Sequence, residues 1–148
     1  MAHRSLLNKE NDGTLEANVL DLTIKIDPRE SVANTTLFDK GRAFNLDVVN
    51  FPDLSACIPS RMAYGIIPSQ LLRYYKSYTT TDDLKSNCYI MFQKVLSQSY
   101  ARSNIVNKVK SFSKKHLFEV TKYGCNKKDL IDILLSSIPR SITVTGRP

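Results

Sequence analysis

Apolar and polar residues alternate along the first third of the chain, with the period of two that is typical of half-buried β-strands. The clearest case runs from Ala17 to Ile26, where the apolar positions are Leu20, Leu22, Ile24 and Ile26. A second short strand near 35–38 and a third at 43–49 flank a turn at Lys40-Gly41. We therefore expect a short antiparallel β ribbon in this part of the chain.

Beyond Phe51-Pro52 the apolar spacing changes to the period of α-helices. The pattern predicts four helices. The first spans 68–76, the second begins at the threonines 79–81 and ends at about Ser97, the third spans 104–116 and the fourth spans 127–135. Pro68 fits the first turn of its helix, where its missing N–H costs nothing. Candidate N-caps are one of the threonines at 79–81, Ser103 and Asn126. Asp82 and Asp83 fit a first turn near the positive end of the helix dipole.

These elements predict an α+β fold, with a short N-terminal antiparallel β ribbon followed by a small helical bundle. The predicted parts are a loose N-terminus at 1–16, the β ribbon at 17–55, the helical part at 56–136 and a tail at 137–148. A chain of 148 residues with 42% hydrophobic content is long enough for one compact domain with a real core.

Charge is unevenly distributed along the chain. Residues 1–55 contain six Lys/Arg and nine Asp/Glu, a net of −3, whereas residues 56–148 contain fifteen and five, a net of +10. Clustered cations attract polyanions and release condensed counterions when they bind nucleic acid. Nucleic acid, as RNA or DNA backbone, is therefore the favoured class of partner.

The predicted helix at 104–116 combines an apolar stripe with a cationic arc. Ile105, Val109 and Phe112 share one face, with Val106 at its edge. The remaining arc carries Lys108, Lys110, Lys114 and Lys115, and Arg102 precedes the helix. A second candidate surface on the helix at 68–76 carries Gln70, Arg73 and Lys76, whereas core packing is favoured for Tyr74. Without further information, a solvated charged face and phosphate contact are equally good interpretations of such lysines.

Four ordered stretches carry a resemblance to a known family. They are Val19-Leu20-Asp21-Leu22; Leu37-Phe38-Asp39-Lys40 with Phe44-Asn45-Leu46 and Val48-Val49-Asn50-Phe51-Pro52; Ile58-Pro59 with Ala63-Tyr64-Gly65-Ile66, Ser69-Gln70-Leu71 and Arg73-Tyr74; and Ser99-Tyr100 with Val109, Phe112 and Lys114-Lys115-His116. In this order they resemble the segment that follows the catalytic palm in reverse transcriptases of non-LTR and Penelope-type retrotransposons. The resemblance spans about Val19 to Ile133, most of the chain.

The resemblance implies a role in holding nucleic acid without the polymerase chemistry. The helical part would correspond to the thumb-like portion, which contacts the template–primer backbone non-specifically. This favours phosphate contact for Gln70, Arg73, Lys76, Arg102, Lys108, Lys110, Lys114 and Lys115. The Y-x-D-D turn of these enzymes, which holds two metal ions, would precede Met1, so Mg²⁺ is expected only for the missing palm. We expect no catalytic residue, metal ligand or small-molecule substrate in this chain.

Two other hypotheses stay open. In the first, the chain is a stand-alone helix-turn-helix DNA-binding protein, with 84–97 as the supporting helix and 104–116 as the reader, and Asn104 or Asn107 reaches base edges. In the second, the chain is an inert or protein-interaction remnant of a retroelement. No apolar stretch approaches the length of a membrane span, and three widely spaced cysteines lack a C-x-x-C pairing. These features predict a soluble intracellular protein, cytoplasmic or nuclear, that does not bind membranes.

Overall fold

Within the described residues, a three-stranded antiparallel sheet precedes four helices, which confirms the predicted α+β fold. The computed structural model describes residues 15–38, 44, 51–118 and 122–140. The elements in chain order are β1 (Glu16–Val19), β2 (Leu22–Asp27), β3 (Val32–Leu37), α1 (Ser60–Ser77), α2 (Thr81–Ser97), α3 (Arg102–His116) and α4 (Lys127–Ser136). The predicted strand at 43–49 and the turn at Lys40-Gly41 lie outside the described residues, apart from Phe44.

The segment predicted as one strand from Ala17 to Ile26 is instead a β-hairpin. β1 pairs with β2 from Glu16 opposite Lys25 to Val19 opposite Leu22, and the chain reverses at Leu20 and Asp21. Leu20 is 87% exposed and has a φ of 55°, in the left-handed region that leucine rarely adopts. The prediction failed because the turn contains no glycine, asparagine or proline, and the alternation continues through it.

The third strand completes the sheet and attaches it to the helices. β3 pairs with β2 from Leu22 opposite Leu37 to Asp27 opposite Val32. The hydroxyl of Thr35 donates to the carbonyl of Ser77 at 2.7 Å, and the backbone N–H of Thr79 donates to the carbonyl of Thr35 at 3.2 Å. The end of β3 is therefore fixed to the connection between α1 and α2.

Helix α1 begins at Ser60, so the prediction that Pro68 occupies a first turn is wrong. Ala63, Ile67 and Leu71 are almost completely buried and form one stripe, which continues on both sides of Pro68. An interior proline costs about 3 kcal/mol, because it removes one backbone hydrogen bond and its ring crowds the preceding turn. Burial of a large aliphatic side chain contributes about 1.5–3 kcal/mol, so the stripe offsets this cost.

The four helices enclose one apolar core. α3 packs against α1 and α4, while α2 packs against α1 and α4 from the other side. The core residues with the lowest exposure are Ile67, Cys88, Phe92, Val95, Ile105, Val109 and Leu130. Within α3, Ile105, Val109 and Phe112 are buried and Val106 is half-buried, as the sequence predicts.

The starts of α2, α3 and α4 lie close to the predicted positions, but their capping chemistry agrees less well. Thr80 caps α2, and its Oγ1 accepts from the backbone N–H of Asp83 at 3.4 Å. Asn126 precedes α4 without a side-chain capping bond, and α3 is preceded by Ala101 rather than by Ser103. The predicted tail also contributes to the core, because Ile138 is only 2% exposed. Residues 141–148 lie outside the described part of the chain.

Candidate nucleic-acid interface

Helix α3 presents its cations on the side away from the core. Lys110, Lys114 and Lys115 are exposed and Lys108 is half-buried. The helix contains no acidic residue, and within the described part of the chain none of these four lysines pairs with a carboxylate. This lysine face, defined as Lys108, Lys110, Lys114 and Lys115, therefore keeps its positive charge available to an external anion.

The length of the lysine face along the helix axis corresponds to a short segment of one nucleic-acid strand. Lys110 and Lys114 are four residues apart and lie one above the other on the outward side, whereas Lys108 and Lys115 form a second line roughly 130° further round the helix. At a rise of about 1.5 Å per residue, the set extends about 10 Å along the helix axis. This length matches about three nucleotides of one strand of a duplex, at about 3.4 Å each.

Part of this charge also stabilises the helix itself. Lys114, Lys115 and His116 lie in the last turn of α3. Cations at a helix C-terminus interact favourably with the helix dipole, typically by about 0.3–1 kcal/mol. Lys108 and Lys110 lie before the last turn, so the dipole does not account for them.

The candidate residues of α1 do not form a second free cationic surface. Arg73 Nη2 lies 3.6 Å from Asp21 Oδ2, in the turn between β1 and β2. The two side chains are 52% and 63% exposed, so this ion pair is a weak surface contact. Gln70 is half-buried, and Lys76 is exposed in the last turn. Arg73 thus links the helix to the hairpin.

Tyr74 packs against the core, as the sequence analysis favours. Its side chain is half-buried, and its ring meets that of Tyr78 edge-to-face with centroids 5.6 Å apart. The hydroxyl of Tyr123 donates to the carbonyls of Tyr75 and Tyr78, both at 3.1 Å. Burial raises the pKa of Tyr123 above its ordinary value. These tyrosines join the end of α1 to the connection before α4.

Lys122 belongs to this aromatic cluster rather than to the lysine face. Its ammonium group lies 5.2 Å from the ring centroid of Tyr75 and 5.1 Å from that of Tyr123. Such cation–π contacts stabilise the charged group against the rings. Burial lowers the pKa of Lys122 below its ordinary value.

Arg102 lies apart from the lysine face. Its Nε donates to the carbonyl of Pro139 at 3.2 Å, so the side chain turns toward the segment after α4. There it lines a cleft of about 580 Å³ together with Tyr89 and Arg140. Arg140 is not among the predicted site residues, because it falls in the segment at 137–148 that the sequence predicts as a tail.

The acidic residues that superficially resemble a polymerase motif are structural. Asp82 and Asp83 lie in the first turn of α2, as predicted, and the hydroxyl of Thr80 donates to Asp83 Oδ2 at 2.7 Å. No group of three or more His, Cys, Asp or Glu side chains that could hold a metal ion occurs among the described residues. Burial raises the pKa of the Cys88 thiol to about 12, which keeps it protonated and unreactive.

Comparison with known protein families, curated proteins and solved structures finds no significant match to this chain. None of the helices in residues 51–118 and 122–140 has the length and apolar character needed to cross a membrane.

Proposed function

We propose that this chain is the thumb-like, post-palm part of a retroelement reverse transcriptase, and that it binds nucleic-acid backbone without sequence preference. The resemblance of the four sequence stretches supports the family, and the lysine face of α3 supports the contact. In this proposal the chain holds template and primer, and the polymerase chemistry belongs to a palm with a Y-x-D-D turn.

The lysine face is the observation on which the proposal rests. Lys110 and Lys114 lie opposite a fully buried stripe and Lys108 and Lys115 lie on its flank, so the bundle core fixes the orientation of the helix. Lysines on such a face neutralise phosphates, which gives affinity but carries no information about base identity. Arg73 and Lys76 could extend the contact along α1, although Arg73 is shared with Asp21.

Salt-dependent binding of nucleic acid tests the proposal. We would measure the affinity for duplex DNA, duplex RNA and an RNA–DNA hybrid at several salt concentrations, for the parent chain and for a Lys110→Gln/Lys114→Gln variant. The variant should bind all sequences more weakly, and its salt slope should be smaller by about two units, because each lost phosphate contact removes about one.

A matched variant separates this local effect from net charge. Lys85 and Lys128 are exposed on α2 and α4, and a Lys85→Gln/Lys128→Gln variant loses the same charge elsewhere. It should keep the parent's affinity and slope. Equal losses in the two double variants would show that the lysine face is not the binding surface.

The helix-turn-helix hypothesis makes a different prediction in the same experiment. It requires α2 to support α3, whereas α3 packs chiefly against α1 and α4. It also requires discrimination between duplex sequences by Asn104 or Asn107. A duplex panel with affinities that differ by more than about tenfold, or about 1.4 kcal/mol, would favour it over backbone binding.

The family proposal has an independent genetic test. We expect the transcript upstream of the Met1 codon to encode, in the same reading frame, a palm with a Y-x-D-D turn. In-frame stop codons directly upstream would contradict a polymerase context and leave a binding module or a remnant.

A further inference from the structure

A cleft lies where α2, the start of α3 and the end of α4 meet. Its volume is about 580 Å³, and its walls include Tyr89, Arg102, Leu135, Ile138 and Arg140. Small-molecule sites typically have volumes of about 300–1,000 Å³. The cleft is therefore large enough for a ligand, and only Arg102 is shared with the nucleic-acid contacts proposed above.

Two guanidinium groups make this cleft cationic. Arg102 and Arg140 both line it, and none of its lining residues in the described part of the chain carries a carboxylate. Neither arginine forms an ion pair with any residue in the described part of the chain. Arg102 is held by its Nε bond to the Pro139 carbonyl, which leaves its two Nη groups as donors. Such a fork binds the oxygens of a phosphate group in bidentate fashion.

The other walls suit a planar ring. Tyr89 is 42% exposed, and its hydroxyl accepts from Gln93 Nε2 at 3.0 Å. Leu135 adds apolar surface to the same cleft. Bases stack on such aromatic side chains with little dependence on base identity. The cleft therefore combines a stacking surface with a cationic end.

We propose that this cleft binds a mononucleotide unit, with its phosphate between Arg102 and Arg140 and its base against Tyr89 and Leu135. The unit is either a free nucleoside monophosphate or the phosphorylated terminal nucleotide of a strand. This proposal goes beyond the proposed function and does not depend on it. A mononucleotide is too short to span the lysine face, so its binding in the cleft does not require the lysine face to bind nucleic acid. It also departs from the sequence-based prediction that this chain has no small-molecule substrate.

Titration of the isotope-labelled chain with AMP, adenosine and inorganic phosphate, followed by NMR, tests the cleft. AMP should give saturable shifts at the amides of Tyr89, Arg102 and Ser136, and adenosine and phosphate should each bind more weakly. The absence of saturable shifts with AMP, or shifts confined to the lysine face, would overturn the proposal.

Two substitutions test the assigned contacts. Arg140→Gln should weaken AMP binding by about tenfold, because a charged hydrogen-bond donor to phosphate is lost. Tyr89→Ala should weaken AMP binding but leave that of phosphate unchanged. Lys128→Gln is the charge-matched control and should bind AMP as the parent does. An Arg140→Gln variant with the parent's affinity for AMP would refute the assigned phosphate position.

A further comparison identifies the source of the nucleotide and keeps the two proposals separate. If a terminally phosphorylated trinucleotide binds more tightly than AMP and than the same trinucleotide without the phosphate, the ligand is a strand end. If AMP binds more tightly than the trinucleotide, the ligand is the free nucleotide. The Lys110→Gln/Lys114→Gln variant should keep its affinity for AMP, so weak duplex binding in that variant leaves this proposal intact.

Discussion

The hydroxyl of Tyr64 accepts a hydrogen bond of 2.8 Å from the backbone N–H of Ala101, thirty-seven positions later in the chain. Tyr64 lies in α1 and Ala101 is the residue that precedes α3, so a side chain of one helix fixes the start of another. The Tyr64 ring also meets the ring of Tyr100 edge-to-face, with centroids 5.0 Å apart. This contact orients α3, and with it the lysine face, relative to α1.

Removal of the Tyr64 hydroxyl should loosen the start of α3. Tyr64→Phe keeps the ring contact but leaves the Ala101 N–H without its acceptor, so we expect the free energy of unfolding to fall by about 1 kcal/mol. Urea denaturation measures this loss. Hydrogen exchange should also accelerate at the first turn of α3.

A second tyrosine provides the control for that prediction. Within the described part of the chain, the Tyr89 hydroxyl forms a single exposed hydrogen bond, with the side chain of Gln93 four residues away, so Tyr89→Phe should change stability by less than about 0.5 kcal/mol. Equal effects of the two substitutions would mean that the Tyr64 hydroxyl does not hold the start of α3.

Replacement of the proline inside α1 should stabilise the bundle. Pro68→Ala restores a backbone N–H within the helix and removes the ring from the preceding turn, at the cost of some packing because Pro68 is half-buried. We expect a net gain of about 1 kcal/mol in the free energy of unfolding, out of the roughly 3 kcal/mol that an interior proline costs. Thermal and urea denaturation should agree on the sign. A loss of stability would show that the packing of the ring outweighs the missing hydrogen bond.

The stability of the protein should fall at alkaline pH, partly because of Cys88. Burial raises the pKa of this thiol from 9.0 to about 12. Above 9.0 the unfolded chain releases the thiol proton while the folded chain retains it, so rising pH favours unfolding up to about 12. Below 9.0 the thiol is protonated in both states and contributes no pH dependence. Urea denaturation at a series of pH values measures the slope.

The Cys88→Ala variant checks the source of this slope. It should be less stable than the parent at neutral pH, because it leaves a small cavity, but it should lose stability less steeply above 9.0. Tyr123 has a pKa raised by burial and contributes to the slope that remains. Identical slopes in the parent and the variant would exclude Cys88 as a source.

The ion pair between Arg73 and Asp21 predicts competition with nucleic acid. If Arg73 contacts phosphate, Asp21→Asn should raise the affinity for nucleic acid, because it removes a carboxylate 3.6 Å from the guanidinium. Stability should change by less than about 1 kcal/mol, since the pair is exposed.

The Arg73→Gln background isolates this effect. In this background, Asp21→Asn should raise the affinity for nucleic acid no more than Asp132→Asn does. Asp132→Asn is the control, because it makes the same charge change at an exposed position of α4. An undiminished increase would mean that Asp21 acts through the overall charge and that Arg73 does not contact phosphate.

The sequence determined most of the helical part, because helix periodicity and helix starts are local properties. The stripe of Ile105, Val109 and Phe112 sufficed to place α3 and its outward lysines. The threonines at 79–81 with Asp82 and Asp83 sufficed to place the start of α2, and the structure identifies Thr80 as its cap. Sequence alternation also predicted a ribbon of strands, since each strand buries one face.

Tertiary structure decided the features that depend on partners distant in the chain. Pro68 lies within a helix because the buried stripe on both sides of it outweighs the lost hydrogen bond. The turn at Leu20 depends on the pairing of β1 with β2, which alternation alone does not reveal. Arg102 and Arg140 share a cleft only because Ile138 packs into the core and brings the segment after α4 back to the start of α3. The spacing of residues along the chain does not reveal such contacts. They form because side chains that are distant in the sequence are buried together in the folded protein.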